Sequence, residues 1–135
     1  MAKIRIMLAD DHTLFRQGIR TLISAESDME VVGEASNGHE ALTLARKLTP
    51  DVIVMDVTMP VLDGIEATRL IKASEVTRHA RVIAYTGNPA FEANPDRTLF
   101  AAVLPKPATP EAVLQAVQRV ATFSPDGGRV QSEPA

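Results

Sequence analysis

Cysteine is absent from this chain. That excludes disulfide frameworks, zinc–thiolate sites, iron–sulfur clusters and thiol catalysis, and it leaves no redox role. A basic excess is missing too: 14 Lys and Arg stand against 17 Asp and Glu, for a net charge of −3. A phosphate-backbone binder needs the opposite balance, so direct nucleic-acid binding is not expected. Nor is there a long apolar run. The N-terminal stretch reaches Asp10 and Asp11 after about six apolar-leaning residues, too few for a signal segment or a bilayer span, and a cytoplasmic, membrane-free protein is expected. Internal repeats and a second domain are likewise not discernible.

What remains has the profile of one globular domain: 135 residues, 45% hydrophobic and 23% charged. A chain of this size hides about two-thirds of its unfolded surface, so it needs no covalent or metal staple. Residues 1–121 are read as that domain. Residues 122–135 are rich in turn formers and lack any period, and they are expected to be a disordered tail.

Strands and helices alternate along the domain. Ile4 to Ala9 is β-rich and stops at the acidic pair Asp10-Asp11. A helix follows, with Thr13 expected as its N-cap and Phe15, Ile19, Leu22 and Ile23 at helical spacing. Val31 to Ala35 is a second strand, and Asn37-Gly38 leads into a helix carrying Ala41, Leu42, Ala45 and Leu48. The unbroken apolar run Val52 to Met55, bounded by Asp51 and Asp56, suits a strand buried on both faces of a parallel sheet. After the Asp63-Gly64 loop, Ile65, Ala67, Leu70 and Ile71 mark a third helix. Arg81 to Thr86 is a fourth strand.

Beyond it, Pro89 and Pro95 leave only a short or broken helix across residues 90–100. Ala101 to Leu104 is a short fifth strand. Thr109-Pro110-Glu111 opens a last helix, whose Val113, Val117 and Val120 form a stripe. Five such alternations predict an α/β fold: a doubly wound five-stranded parallel sheet in the order 2-1-3-4-5, flavodoxin-like, with helices on both faces.

That order brings chemistry to one edge. Asp10 and Asp11 end the first strand, Asp56 the third, Thr86 the fourth, and Lys106 follows the fifth. Two like charges about 4 Å apart at an effective dielectric near 20 cost about 4 kcal/mol, so three converging carboxylates call for a cation. Oxygen-only donors favour magnesium. The amine and the hydroxyl suit phosphoryl oxygens, and Asp56, central among these groups, is the candidate nucleophile for an aspartyl phosphate. The three histidines, His12 included, and Met7, Met55 and Met59 are read as surface and packing residues respectively.

Ala9-Asp10-Asp11-His12, the run from Met55 to Gly64, Thr86-Gly87 and Leu104-Pro105-Lys106-Pro107 together resemble the motifs of bacterial two-component response-regulator receiver domains, over roughly residues 3–121. The resemblance implies that Asp56 accepts a phosphoryl group from a sensor histidine kinase, a phosphotransfer protein or a small phosphodonor. It further implies that Asp10, Asp11, Asp56 and the backbone carbonyl of Thr58 hold Mg2+, that Lys106 pairs with the phosphoryl group and that Thr86 swings to hydrogen-bond it. A downstream protein partner, a phosphorylation-dependent dimer and a cis Lys106-Pro107 bond are implied in the same way. Leu14 to Arg20 and Val31 to Ala35 resemble receivers that precede a DNA-binding helix-turn-helix domain; no such domain lies within these 135 residues.

Two departures stand out. Receivers commonly carry Tyr or Phe three residues before the site lysine, where this chain has Val103, and the interval from Thr86 to Lys106 is short. They keep a second reading open, a receiver-like adaptor whose contacts ignore phosphorylation. A third, a magnesium-dependent phosphatase with an aspartate nucleophile, lacks its usual second acid, since Thr58 occupies that place.

Overall fold

Apolar runs that end in acids or hydroxyls pair as parallel strands, and the periodic segments between them cross over as helices. The computed structural model describes residues 3–59 and 61–121. Its elements are β1 (Ile4–Ala9), α1 (Thr13–Ser24), β2 (Met29–Ala35), α2 (Gly38–Leu48), β3 (Val52–Asp56), α3 (Gly64–Ala73), β4 (Arg81–Thr86), β5 (Ala102–Pro105) and α4 (Pro110–Ala121). The strands are parallel and run in the order β2-β1-β3-β4-β5, as the alternation predicts. The expected tail, residues 122–135, lies outside the described residues.

Every residue of β3 is buried, as expected of the strand flanked on both sides. Alternation along the strands divides the core in two. Met7, Ile53, Met55, Val82 and Ala84 pack under α2 and α3. Ile6, Leu8, Val52, Val54 and Ile83 pack under α1 and α4 through Ile19, Ile23, Val113 and Val117. Val120 is only partly buried at the end of its stripe.

Local signals explain the helix starts. The Asn37 side chain accepts the Glu40 N–H at 2.8 Å, and Asp63 does the same for Glu66 at 2.8 Å. Such caps are each worth about 1 kcal/mol. Thr109 Oγ1 accepts the Ala112 N–H at 3.1 Å. Thr13, however, is not a cap: it is the first helical residue, and His12 holds the cap position without a side-chain bond to the helix. The His12 N–H is instead taken by Asp10 Oδ1 at 2.7 Å, so Asp10 holds the residue that precedes this helix.

Between β4 and β5, two 3-10 turns, Pro89–Ala93 and Pro95–Leu99, stand where a regular helix would cross. Asn88 and Asn94 cap them by accepting the N–H groups of Ala90 and Asp96. β2 starts at Met29, earlier than its apolar run, because Met29 and Glu30 continue the pairing with Ile4 and Arg5. Pro105 lies on the edge strand, where a missing N–H is tolerated. Among the described residues no helix is long and apolar enough to cross a membrane.

Candidate functional site

The carboxyl ends of β1 and β3 lie side by side at the switch point of the sheet, where the crossovers leave in opposite directions. Asp10 continues β1, its N–H bonded to the Ala35 carbonyl at 3.0 Å. Asp56 is the last residue of β3, opposite Tyr85 of β4 in register. Both carboxylates are buried, while Asp11 is exposed.

Asp56 has two unlike oxygens. Oδ1 accepts the Lys106 ammonium at 3.0 Å and the Thr58 N–H at 3.0 Å. Oδ2 is buried and has no hydrogen-bond partner. A buried carboxylate oxygen left this way carries a desolvation penalty that a cation or an electrophile would relieve. Burial accordingly pushes the Asp56 carboxyl above its ordinary value, the Asp10 charge adds to the rise, and Lys106 and the Thr58 N–H oppose it. Donor atoms of Asp10, Asp11, His12 and Asp56 all lie within 4.8 Å of one another.

The site is braced from behind. Arg16 donates to the Asp10 carbonyl and, through Nε at 3.0 Å, to Glu34, which also takes Arg20 Nη1 at 2.6 Å. The loop after Asp56 is held between two glycines. A Cβ on Gly64 would lie 2.2 Å from the Asp56 carbonyl oxygen, and one on Gly38 would lie 1.8 Å from the Leu62 carbonyl oxygen. Only glycine lets the starts of α2 and α3 close on the loop so tightly. The same loop holds Val61 at φ 71°, a left-handed conformation that is costly for a β-branched residue. The Lys106-Pro107 bond is cis.

The expected residues are therefore brought together, with two qualifications of detail. Thr58 meets Asp56 through its N–H. The Thr86 hydroxyl, at the end of β4, is turned to its own loop, where it accepts the Asn88 N–H at 3.1 Å. Two contacts were not legible in the sequence. His12, though exposed at 66% of its side chain, sets Nδ1 at 2.8 Å from Asp10 Oδ1 and 3.2 Å from Asp11 Oδ1. Those bonds raise its pKa, the Asp10 hydrogen bond most of all. Lys106 Nζ also lies 4.8 Å above the Tyr85 ring, which stacks in turn on Phe15 at 4.9 Å and 8°. The His12 contact is local to the turn after β1, and the Lys106–Tyr85–Phe15 contacts join distant segments, so they leave no spacing signal.

Comparison with known proteins agrees with this geometry. The transcriptional regulatory protein YxjL of Bacillus subtilis is 37% identical over 119 residues, 88% of this chain and 55% of that protein. The transcriptional regulatory protein DegU of Brevibacillus brevis is 34% identical over 119 residues, 88% of this chain and 50% of that protein. The chain thus spans about half the length of the curated relatives it matches.

Among solved structures, a two-component response regulator of the LuxR family from an Aurantimonas species superposes with a TM-score of 0.77 at 36% identity, covering 93% of this chain and 92% of that one. The receiver domain of a Pseudomonas aeruginosa sensor histidine kinase, solved with magnesium in its active-site cleft, gives 0.74 at 29%, covering 87% and 97%. The profile of the response regulator receiver domain matches residues 6–118. With that profile matching most of its length and relatives of more than 30% identity covering nearly nine-tenths of it, the chain belongs to the response regulator receiver domain family.

Proposed function

We propose that this domain is a cytoplasmic phosphoacceptor switch in which Asp56 takes a phosphoryl group, in a magnesium-dependent step, from a sensor histidine kinase, a phosphotransfer protein or a small phosphodonor. The observation that carries the reading is the asymmetry of Asp56, whose carboxylate clusters with those of Asp10 and Asp11: Oδ1 is held by Lys106 and Thr58, and the buried Oδ2 is left unbonded. Asp10, Asp11, Asp56 and the Thr58 carbonyl would hold the cation, and their all-oxygen donor set suits magnesium. When bound, magnesium supplies positive charge to the oxygens of the incoming phosphoryl group.

In the transfer, a carboxylate oxygen of Asp56 forms the bond to phosphorus as the bond from phosphorus to the donor's nitrogen or oxygen breaks. Lys106, already fixed on Asp56, offers its ammonium to the added charge. Thr86 would leave the Asn88 N–H to donate its hydroxyl to a phosphoryl oxygen. The added charge biases the domain between two conformations and so changes its affinity for a downstream protein or a second copy.

The test is intact mass after incubation with acetyl phosphate and Mg2+. Wild type gains one phosphoryl group and Asp56→Asn gains none. An equal gain on Asp56→Asn, or none on wild type, overturns the reading. The adaptor reading is favoured by Val103 and the two 3-10 turns, and a partner affinity unmoved by phosphorylation would support it.

A further inference from the structure

Asp56, Tyr85 and Lys106 share a face. Along β3 and β4 the residues Val52, Val54 and Ile83 point toward α1 and α4, so alternation puts Asp56 and Tyr85 on that side as well. Thr86 and Val103 belong to the other side, where Val103 packs against the core under α2 and α3. That side has its own aromatic pair, Phe91 and Phe100, edge to face at 5.4 Å. It lies within and just after the 3-10 turns and packs in the cluster under α2 and α3.

The Tyr85 ring touches two regions besides its own strand. Lys106, in the segment between β5 and α4, lies over the ring, and Phe15 of α1 stacks on it. α1 and α4 themselves meet where Gly18 faces the Pro110 ring. We infer that Tyr85 is a positioning residue that carries the charge state of the Asp56–Lys106 pair to α1 and α4. This inference rests on the phosphoacceptor reading above.

The physical link is the ammonium. It is attracted by the ring and by Asp56 Oδ1 at once. Phosphoryl oxygens on Asp56 draw Nζ toward themselves, which changes the cation above the ring. Stacked rings hold a preferred offset, so the Phe15–Tyr85 pair responds by shifting, and the starts of α1 and α4 shift with it. Val103 offers no ring to do this on the opposite face.

Tyr85 is the only tyrosine and the chain has no tryptophan, so intrinsic emission reports on this ring. The experiment uses the full chain with beryllium fluoride and Mg2+, and acetyl phosphate with intact mass in parallel. In wild type, activation changes tyrosine emission and amide hydrogen exchange across residues 13–24 and 110–121. Tyr85→Phe keeps the ring and the exchange response. Tyr85→Leu and Phe15→Leu gain the phosphoryl group by mass and lose the response.

A wild type that gains the phosphoryl group with emission and exchange unchanged overturns the inference and spares the phosphoacceptor reading. So does a Leu variant that keeps the full exchange response, or a Tyr85→Phe that loses it. No mass gain on wild type overturns both.

Discussion

On one face of the sheet, α1 and α4 cover Ile6, Leu8, Val52, Val54 and Ile83 with two continuous helices; on the other, α2 and α3 share the cover with the turns Pro89–Ala93 and Pro95–Leu99. The first face carries Asp56, Lys106 and the Phe15–Tyr85 stack. The second carries Thr86, Val103 and the Phe91–Phe100 pair. A 3-10 turn has poorer hydrogen-bond geometry than an α-helix and is seldom long. The two faces thus differ in their cover: the acid, the ammonium and the stacked rings lie over continuous helices, and the other face is closed in part by short turns.

The strongest way to break that contrast is to open a hole on each side. Ile83→Ala, under α1 and α4, is expected to cost about 4 kcal/mol in urea unfolding; Phe91→Ala, within a short turn that can collapse inward, should cost only about 3 kcal/mol despite the larger side chain. If the phenylalanine hole costs more, the second face is as rigid as the first.

A smaller effect comes from Asp56. Its pKa is raised in the folded state, chiefly by burial. The folded form then prefers the protonated acid, so the charge costs stability once the pH rises through the raised value, and costs nothing below the ordinary carboxylate range. With divalent ions chelated, Asp56→Asn should melt above wild type at neutral pH, by a margin that closes as the pH falls. A melting point below wild type at neutral pH would place the Lys106 pair above burial as the dominant influence.

Val61→Asn should stabilise by about 1 kcal/mol, because asparagine tolerates the left-handed backbone that valine resists. Thermal unfolding checks this.

The mildest probe is optical. Burial raises the Tyr85 pKa. Absorbance titration should show the phenol ionising later in the folded chain than in denaturant, with the stability it contributes lost as the pH climbs through the folded value. Coincident curves would mean that the ring is wet, and the contrast between the faces would lose its sharpest marker.

The strand order and the gathering of Asp10, Asp11, Asp56 and Lys106 could be read from the sequence, because acid-bounded apolar runs such as Val52 to Met55 fit only a doubly covered strand. Asn37 and Asp63 announced two helix starts through short-range chemistry. Thr13 misled for the same reason: a hydroxyl before a helix looks like a cap, and only the tertiary placement of Asp10 shows that the His12 N–H is taken elsewhere. The Pro89 and Pro95 spacing gave away a broken helix, but not its resolution into two asparagine-capped turns. The Lys106–Tyr85–Phe15 column had no local signature, since its members lie on β4, on α1 and after β5.

The glycines at 38 and 64 give the site a direction. With the Leu62 and Asp56 carbonyls pressed against helix starts that cannot accommodate a single methyl group, neither glycine can gain a side chain unless the backbone beside it moves. Two residues without side chains therefore set how closely the starts of α2 and α3 approach the residues at and after the end of β3.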